Sequence, residues 1–232
     1  MKAVKVLSTL LLGLIISACG ASNPTARGPV VPFATNLQAE YRVDIIGSGH
    51  GTGAVISKEG HLFTAAHVVN HHRHLGIALD NGGPYPETYL ADVVFADEDT
   101  DTAVIKINRR FDRTVWMGQP SEVRLRLPIY SVGYTYEFGQ FYHSSTIGAI
   151  GFNFPEDDGE KAPPSSHNVI LSDLPYTHGD SGGMVFSAET GHVIGFAHAI
   201  MSLKNGQTYA VIQPIEKILA LLDENEVPYN EP

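Results

Sequence analysis

GDSGG, at residues 179–183, is the stretch on which the reading of this chain turns. Glycines on both sides of a serine let the backbone fold tightly around a hydroxyl, which makes Ser181 a candidate nucleophile. The plainer reading is a Gly-rich turn around a solvated serine. A serine hydroxyl is a weak nucleophile at neutral pH, so the first reading requires a base elsewhere to take its proton and a further group to orient that base.

Two upstream segments supply these groups. LFTAAHVV, at 62–69, runs from an apolar strand pattern through two small residues into His67, placing an imidazole at a strand end. ADEDTDTAVIKI, at 96–107, passes from an acidic loop into another strand pattern and offers Asp97, Asp99 and Asp101. Asp101 directly abuts the apolar TAVIKI run, which makes it the carboxylate best placed to be carried inward under His67.

The order His67, Asp101, Ser181 is that of chymotrypsin-like proteases; other serine hydrolases use the same geometry in other orders. DEDTDTAVIKI resembles the Asp-bearing segment of HtrA-like bacterial proteases, and VIGFAHAI, at 193–200, resembles their strand beside the substrate cleft. The similarity spans roughly residues 40–224. It implies an all-β trypsin-like fold, two six-stranded antiparallel barrels, with His67 as general base, Asp101 as its orienter and Ser181 as nucleophile. The amides of Gly179 and Ser181 would form the oxyanion hole. The resemblance also places Pro175, Tyr176 and His178 on one wall of the pocket for the residue before the scissile bond, and His198, Ala199 and Ile200 on the other. Pro175 stands where trypsins carry Asp, so selection for Arg or Lys is not expected. Either His178 or His198 would favour a Glu side chain, as a histidine does in glutamyl endopeptidases. The preferred role for His198 is contact with Asp101. The backbone of 198–200 would pair with substrate as an added strand.

The chain departs from that family at Asp180, where HtrA-like members usually carry Asn. Digestive trypsins pair this Asp with a freed N-terminal amine. No IVGG-like activation site is visible, so Asp180 is expected to accept local hydrogen bonds.

The strand pattern agrees with an all-β domain. Short runs broken by Gly, Pro, Asn and Asp begin with YRVDIIG, GTGAVIS, GHLFTAA, HLGIALD, TYLADVVFA and DTAVIKI. They continue with LRLPIYSVGY, QFYHSSTIGAI, NVILSD, GGMVFSA, GHVIGFAHAI and QTYAVI. Two halves of about six strands match two small barrels with the reacting groups at their junction. Ile215, Ile218, Leu219 and Leu222 recur at helical spacing after Pro214, predicting a C-terminal helix packed on the second barrel. NFPEDDGEKAPPSS, at 153–166, reads as a solvated loop.

The N-terminus carries different information. Lys2 and Lys5 precede an apolar run from Leu7 to Ile16, followed by Ser17, Ala18 and Cys19, which is the layout of a secretory signal peptide and too short for a spanning helix. ISAC, at 16–19, resembles the bacterial lipobox, in which the cysteine is acylated and becomes the new N-terminus. The expected organisation is a signal at 1–18, a flexible Pro/Ser/Ala/Gly-rich tether at 19–36 and a protease domain at 37–232. Cys19 is the only cysteine, so no internal disulfide forms.

The formal net charge of −10 becomes −12 once Lys2 and Lys5 are removed. So acidic a body argues against nucleic acid as a partner and against adsorption to anionic lipid. HVVNH, at 67–71, has the histidine spacing of a zinc hydrolase motif, yet Val68 stands where that motif needs Glu, so no metal and no cofactor are expected. The leading reading is a lipid-anchored serine endopeptidase, exported across the inner membrane and held in the bacterial envelope, acting on protein or peptide substrates. The alternative is a catalytically silent lipoprotein of the same fold that binds without cleaving. Nothing in the sequence sets the number of subunits.

Overall fold

The computed structural model describes residues 29–45, 49–80, 85–135, 139–154 and 164–232. The signal sequence, Cys19 and residues 155–163 of the acidic loop lie outside them.

Twelve strands close into two six-stranded antiparallel barrels. The first contains β1 (Glu40–Ile45), β2 (Gly49–Val55), β3 (His61–Ala65), β4 (His74–Asp80), β5 (Glu87–Asp97) and β6 (Thr102–Ile107), in the spatial order β1-β2-β3-β6-β5-β4. The second contains β7 (Pro128–Tyr134), β8 (Gln140–Phe152), β9 (Val169–Ser172), β10 (Met184–Ser187), β11 (Val193–Ser202) and β12 (Thr208–Pro214), ordered β10-β11-β12-β9-β8-β7. Closure leaves no continuous free edge, which suits a chain whose strands are this apolar. Among the described residues three α-helices accompany them: α1 (Phe33–Leu37), α2 (Ala66–Val69) and α3 (Ile215–Glu224).

Alternation along the strands sorts residues into separate cores. In β4, Leu75, Ile77 and Leu79 point inward while their neighbours are part-exposed. β6 is buried on both faces: Ala103, Ile105 and Ile107 fill the first barrel, whereas Val104 turns outward to a layer shared by the two barrels. That layer also takes Ala54, Ile56 and Phe63 from the first barrel and Val132, Met184, Phe186 and Phe196 from the second. Phe63 and Phe196 meet edge to face across it, with ring centroids 4.8 Å apart. Helix α3 adds Ile215, Ile218 and Leu222, all fully buried, as its spacing predicted.

Packed residues begin before the expected domain boundary at residue 37. Val31 and Asn36 are buried, and α1 lies on the second barrel. Asn36 Nδ2 donates to Tyr130 Oη at 2.8 Å and to the Gly191 carbonyl at 2.7 Å, and Val31 N donates to the Thr190 carbonyl at 2.7 Å. Pro and Ala were read as linker composition, but Phe33 packs its ring on Tyr130, and one aromatic contact outweighs that bias.

Hydrogen bonds across the barrel junction converge on Thr52 of β2. Its N–H donates to the Ser181 carbonyl and its Oγ1 to the Gly179 carbonyl, both at 2.8 Å. The same Oγ1 accepts from Tyr134 N at 2.9 Å. Close approach is possible because Gly182, at φ 89°, has no side chain: a Cβ there would overlap the Thr52 carbonyl oxygen and sit 2.5 Å from Thr64 Oγ1 and 2.9 Å from Ala65 N. Replacing Gly182 with Ala combines left-handed strain with overpacking, and a loss of about 3 kcal/mol is expected. Urea denaturation of the purified domain measures it.

Candidate active site

The register of β3 against β6 pairs Ala65 with Thr102, which brings the residues just beyond each strand together. Ala66 N donates to the Asp101 carbonyl at 2.9 Å. The chain then turns into α2, and His67 meets the Asp101 carboxylate twice: its backbone N–H donates to Oδ1 at 2.9 Å and its ring Nδ1 lies 2.8 Å from Oδ2. Asp101 sits at φ 57°, in the left-handed region that aspartate tolerates better than most residues and that aims its side chain back at His67.

Burial on its own would raise the pKa of Asp101, but the imidazoles of His198 and His67 and the His67 amide outweigh it and hold the carboxyl well below its usual range. In return the hydrogen bond to Asp101 lifts His67 above its ordinary 6.5, against a smaller opposing effect of burial. The His67 side chain remains 51% exposed and Asp101 only 16%, so the ring faces the cleft while its partner is enclosed.

His198 reaches the same carboxylate from the second barrel. β11 carries a bulge between Ala197 and Ala199, leaving His198 unpaired in the ladder. The bulge re-aims its side chain, which is 7% exposed and places Nδ1 3.6 Å from Asp101 Oδ2. At that distance the pair is an electrostatic contact and His67 remains the hydrogen-bonded partner. Of the two roles read for His198 in the sequence, contact with Asp101 is the one its geometry serves.

Ser181 stands on a loop held by the junction. The turn Thr177–Asp180 closes with Asp180 N donating to the Thr177 carbonyl at 3.2 Å, and Gly179 has φ 95°. Positive φ at the third residue is the mark of a type II turn; a type I turn would rotate the central peptide by about 180° and reverse its N–H. Among the described residues Ser181 makes no hydrogen bond to His67; its hydroxyl lies against that of Tyr176. Asp180 is buried and accepts from Thr177 N at 3.0 Å within its own turn and from Thr135 Oγ1, 45 residues away, at 2.7 Å, with His143 Nε2 at 4.0 Å. Gly133 leaves the room, since a Cβ there would lie 2.5 Å from Asp180 Oδ1.

The remaining pocket residues divide. Tyr176 crosses between the expected walls and donates its hydroxyl to the Ala197 carbonyl at 2.6 Å. Ala199 lines a cavity of about 450 Å³ beside His67, Asp101 and His198. Pro175, His178 and Ile200 are exposed. Met201 packs on Val169, Leu171 and Val211. His71 is also exposed and pairs with Glu98 at 2.9 Å.

Sequence reasoning missed Thr52, Gln213 and Lys217. Thr52 lies between two glycines in GTG, where a polar residue among strand-breaking neighbours marks a close contact. Gln213 is the one polar side chain in AVIQPI and is fully buried.

Comparison with known proteins matches residues 51–196 to the trypsin-like peptidase domain. The chain belongs to the trypsin-like peptidase family. It is 28% identical over 158 residues to serine endoprotease DegS of Haemophilus influenzae, covering 68% of this chain and 42% of that protein. It is 32% identical over 161 residues to a probable periplasmic serine endoprotease, DegP-like, of Brucella suis, covering 67% and 28% respectively. The chain thus spans less than half the length of these relatives. Among solved structures, the HtrA-type protease AlgW with a decapeptide superposes with a TM-score of 0.67 at 22% identity, over 83% of this chain and 66% of that one. The trypsin-like, HtrA-type fold expected from the motifs is the fold observed.

Replacing Asp101 with Asn removes the interaction that lifts His67, whose pKa should fall to 6.5 or below, since only the lowering effect of burial remains. NMR titration of the His67 ring reads the change, and needs no substrate.

Proposed function

We propose that this chain is a serine endopeptidase acting on protein or peptide substrates in the bacterial envelope. The observation that carries the reading is the two-point grip of Asp101 on His67 beside the GDSGG loop. On this reading Ser181 Oγ attacks the scissile carbonyl carbon while His67 Nε2 takes the hydroxyl proton. Asp101 keeps the other ring nitrogen protonated and steadies the imidazolium that forms. The carbonyl oxygen becomes an anion held by the amides of Gly179 and Ser181, and the positive φ of Gly179 supports that orientation of its N–H. His67 then returns the proton to the departing amine. Water repeats the sequence on the acyl-enzyme, and the carboxylic acid leaves as Ser181 regains its proton. The Ser181 to His67 hydrogen bond forms as substrate seats, since such contacts tighten in the substrate complex.

Tyr176 narrows the expected choice of substrate. A tyrosine whose hydroxyl is bound to the opposite wall at Ala197 fills the space where a large side chain would enter, so the residue before the cut is small: Gly, Ala or Ser.

The activity is tested with a fluorophosphonate probe and a peptide library. Wild type should label at Ser181 and cleave after small residues, and Ser181→Ala should do neither while keeping the fold. Activity should rise with pH through an ionisation above 6.5, because His67 must be neutral to act as base and its pKa is raised. An unlabelled wild-type protein would instead be the silent binding module.

The membrane anchor belongs to the same proposal. Its support is the charged start, the apolar run and ISAC; among the described residues no helix is long and apolar enough to cross a membrane. Cys19 would carry the acyl chains, two or more of which hold a protein stably in a bilayer. Cys19→Ala should abolish incorporation of radiolabelled palmitate and move the protein out of the membrane fraction; unchanged fractionation counts against acylation.

A further inference from the structure

Resting on the proposed protease reading, we infer that a buried Gln213–Lys217 pair fixes His198 as a neutral imidazole with its proton on Nδ1, making His198 a positioning residue that steadies Asp101 without adding charge.

The orientation of one amide decides this. Gln213 of β12 is fully buried, and its two ends face different partners. Lys217 Nζ, one turn into α3, donates to Gln213 Oε1 at 2.9 Å, and Gln213 Nε2 donates to the Ser165 carbonyl at 2.6 Å. The flipped amide would set an NH₂ against an ammonium and an oxygen against a carbonyl oxygen, two repulsions in a buried place. The group that faces His198 Nε2, 3.5 Å away, is therefore the NH₂ end. A donor opposite a ring nitrogen leaves that nitrogen only its lone pair. The single ring proton of His198 then resides on Nδ1, the atom directed at Asp101 Oδ2.

Charge matters here more than the contact itself. A cationic His198 beside Asp101 would offset the carboxylate and reduce its ability to raise His67. A neutral imidazole whose Nδ1–H dipole is directed at Oδ2 from 3.6 Å favours the ionised carboxylate while leaving its charge available to His67. The ionisable groups around this pair are His67 and Asp101 on the first barrel, Lys217 and Glu216 on α3, and His71 and Glu98 across the cavity.

Gln213→Glu tests this almost without change of shape, although one carboxylate oxygen then faces the Ser165 carbonyl in place of a donor. The new carboxylate keeps Lys217 but turns an acceptor toward His198 Nε2, so His198 takes a second proton. In wild type, ¹⁵N ring shifts should report His198 protonated at Nδ1 and bare at Nε2 at neutral pH. In Gln213→Glu they should report both nitrogens protonated. The acid limb of kcat/KM should move down by roughly one pH unit, and kcat should fall about tenfold with KM little changed. His198→Asn, which keeps a neutral polar N–H group, should retain the wild-type limb, whereas His198→Ala, which removes a dipole competing with His67 for the carboxylate, should raise it. A wild-type His198 protonated at Nε2 overturns the inference, as does a Gln213→Glu protein with His198 doubly protonated and an unmoved limb. Should Gln213→Glu fail to fold, the wild-type ring shifts and the His198 pair decide alone. Failure of Ser181 to label with fluorophosphonate would sink the protease reading, yet the ring shifts would still settle the tautomer.

Discussion

One residue from the first barrel holds the loop of the second. Thr52 binds the carbonyls on either side of Asp180 with its N–H and its hydroxyl, and takes a hydrogen bond from Tyr134 in return. Buried polar groups must be satisfied, so these bonds tie the position of Ser181 to the docking of two separately closed barrels. The apolar layer around Phe63 and Phe196 supplies the adhesion between the barrels, and the Thr52 contacts supply the register. With side chains at positions 182 and 133, neither the Thr52 contacts nor the burial of Asp180 would fit.

Electrostatics at the cleft follow from a similar division of labour. Asp101 and His67 arrive from the first barrel, on the two sides of one strand pairing, and are joined by local geometry. His198 comes from the second barrel, through a bulge that breaks the regular alternation of β11. A carboxylate enclosed by these groups stays ionised although its burial alone would favour the neutral acid. The positive φ of Asp101 is the local backbone strain that accompanies this arrangement.

Much of this was legible in the sequence because it depends on local pattern. Period-two alternation, turn residues and the helical spacing of Ile215, Ile218 and Leu222 located the strands and α3, and the His, Asp and Ser motifs lay where strand ends come together. What escaped was long-range. Thr52 contacts residues more than a hundred positions away, and no periodicity reports such a partner. Gln213 looked like an interruption in an apolar strand, since the lysine one helical turn later signals only in three dimensions. The start of the domain was misread because Val31 and Asn36 sit in a Pro- and Ala-rich stretch, where composition says linker and packing says otherwise.

The docking of Val31 and α1 on the second barrel has a geometric outcome for the proposed anchoring at Cys19. Only eleven residues lie between that cysteine and Val31. Fully extended, such a leash spans roughly 40 Å. An enzyme so moored samples a thin shell above the bilayer, and proteins that never come near the lipid surface stay out of its range whatever their sequence.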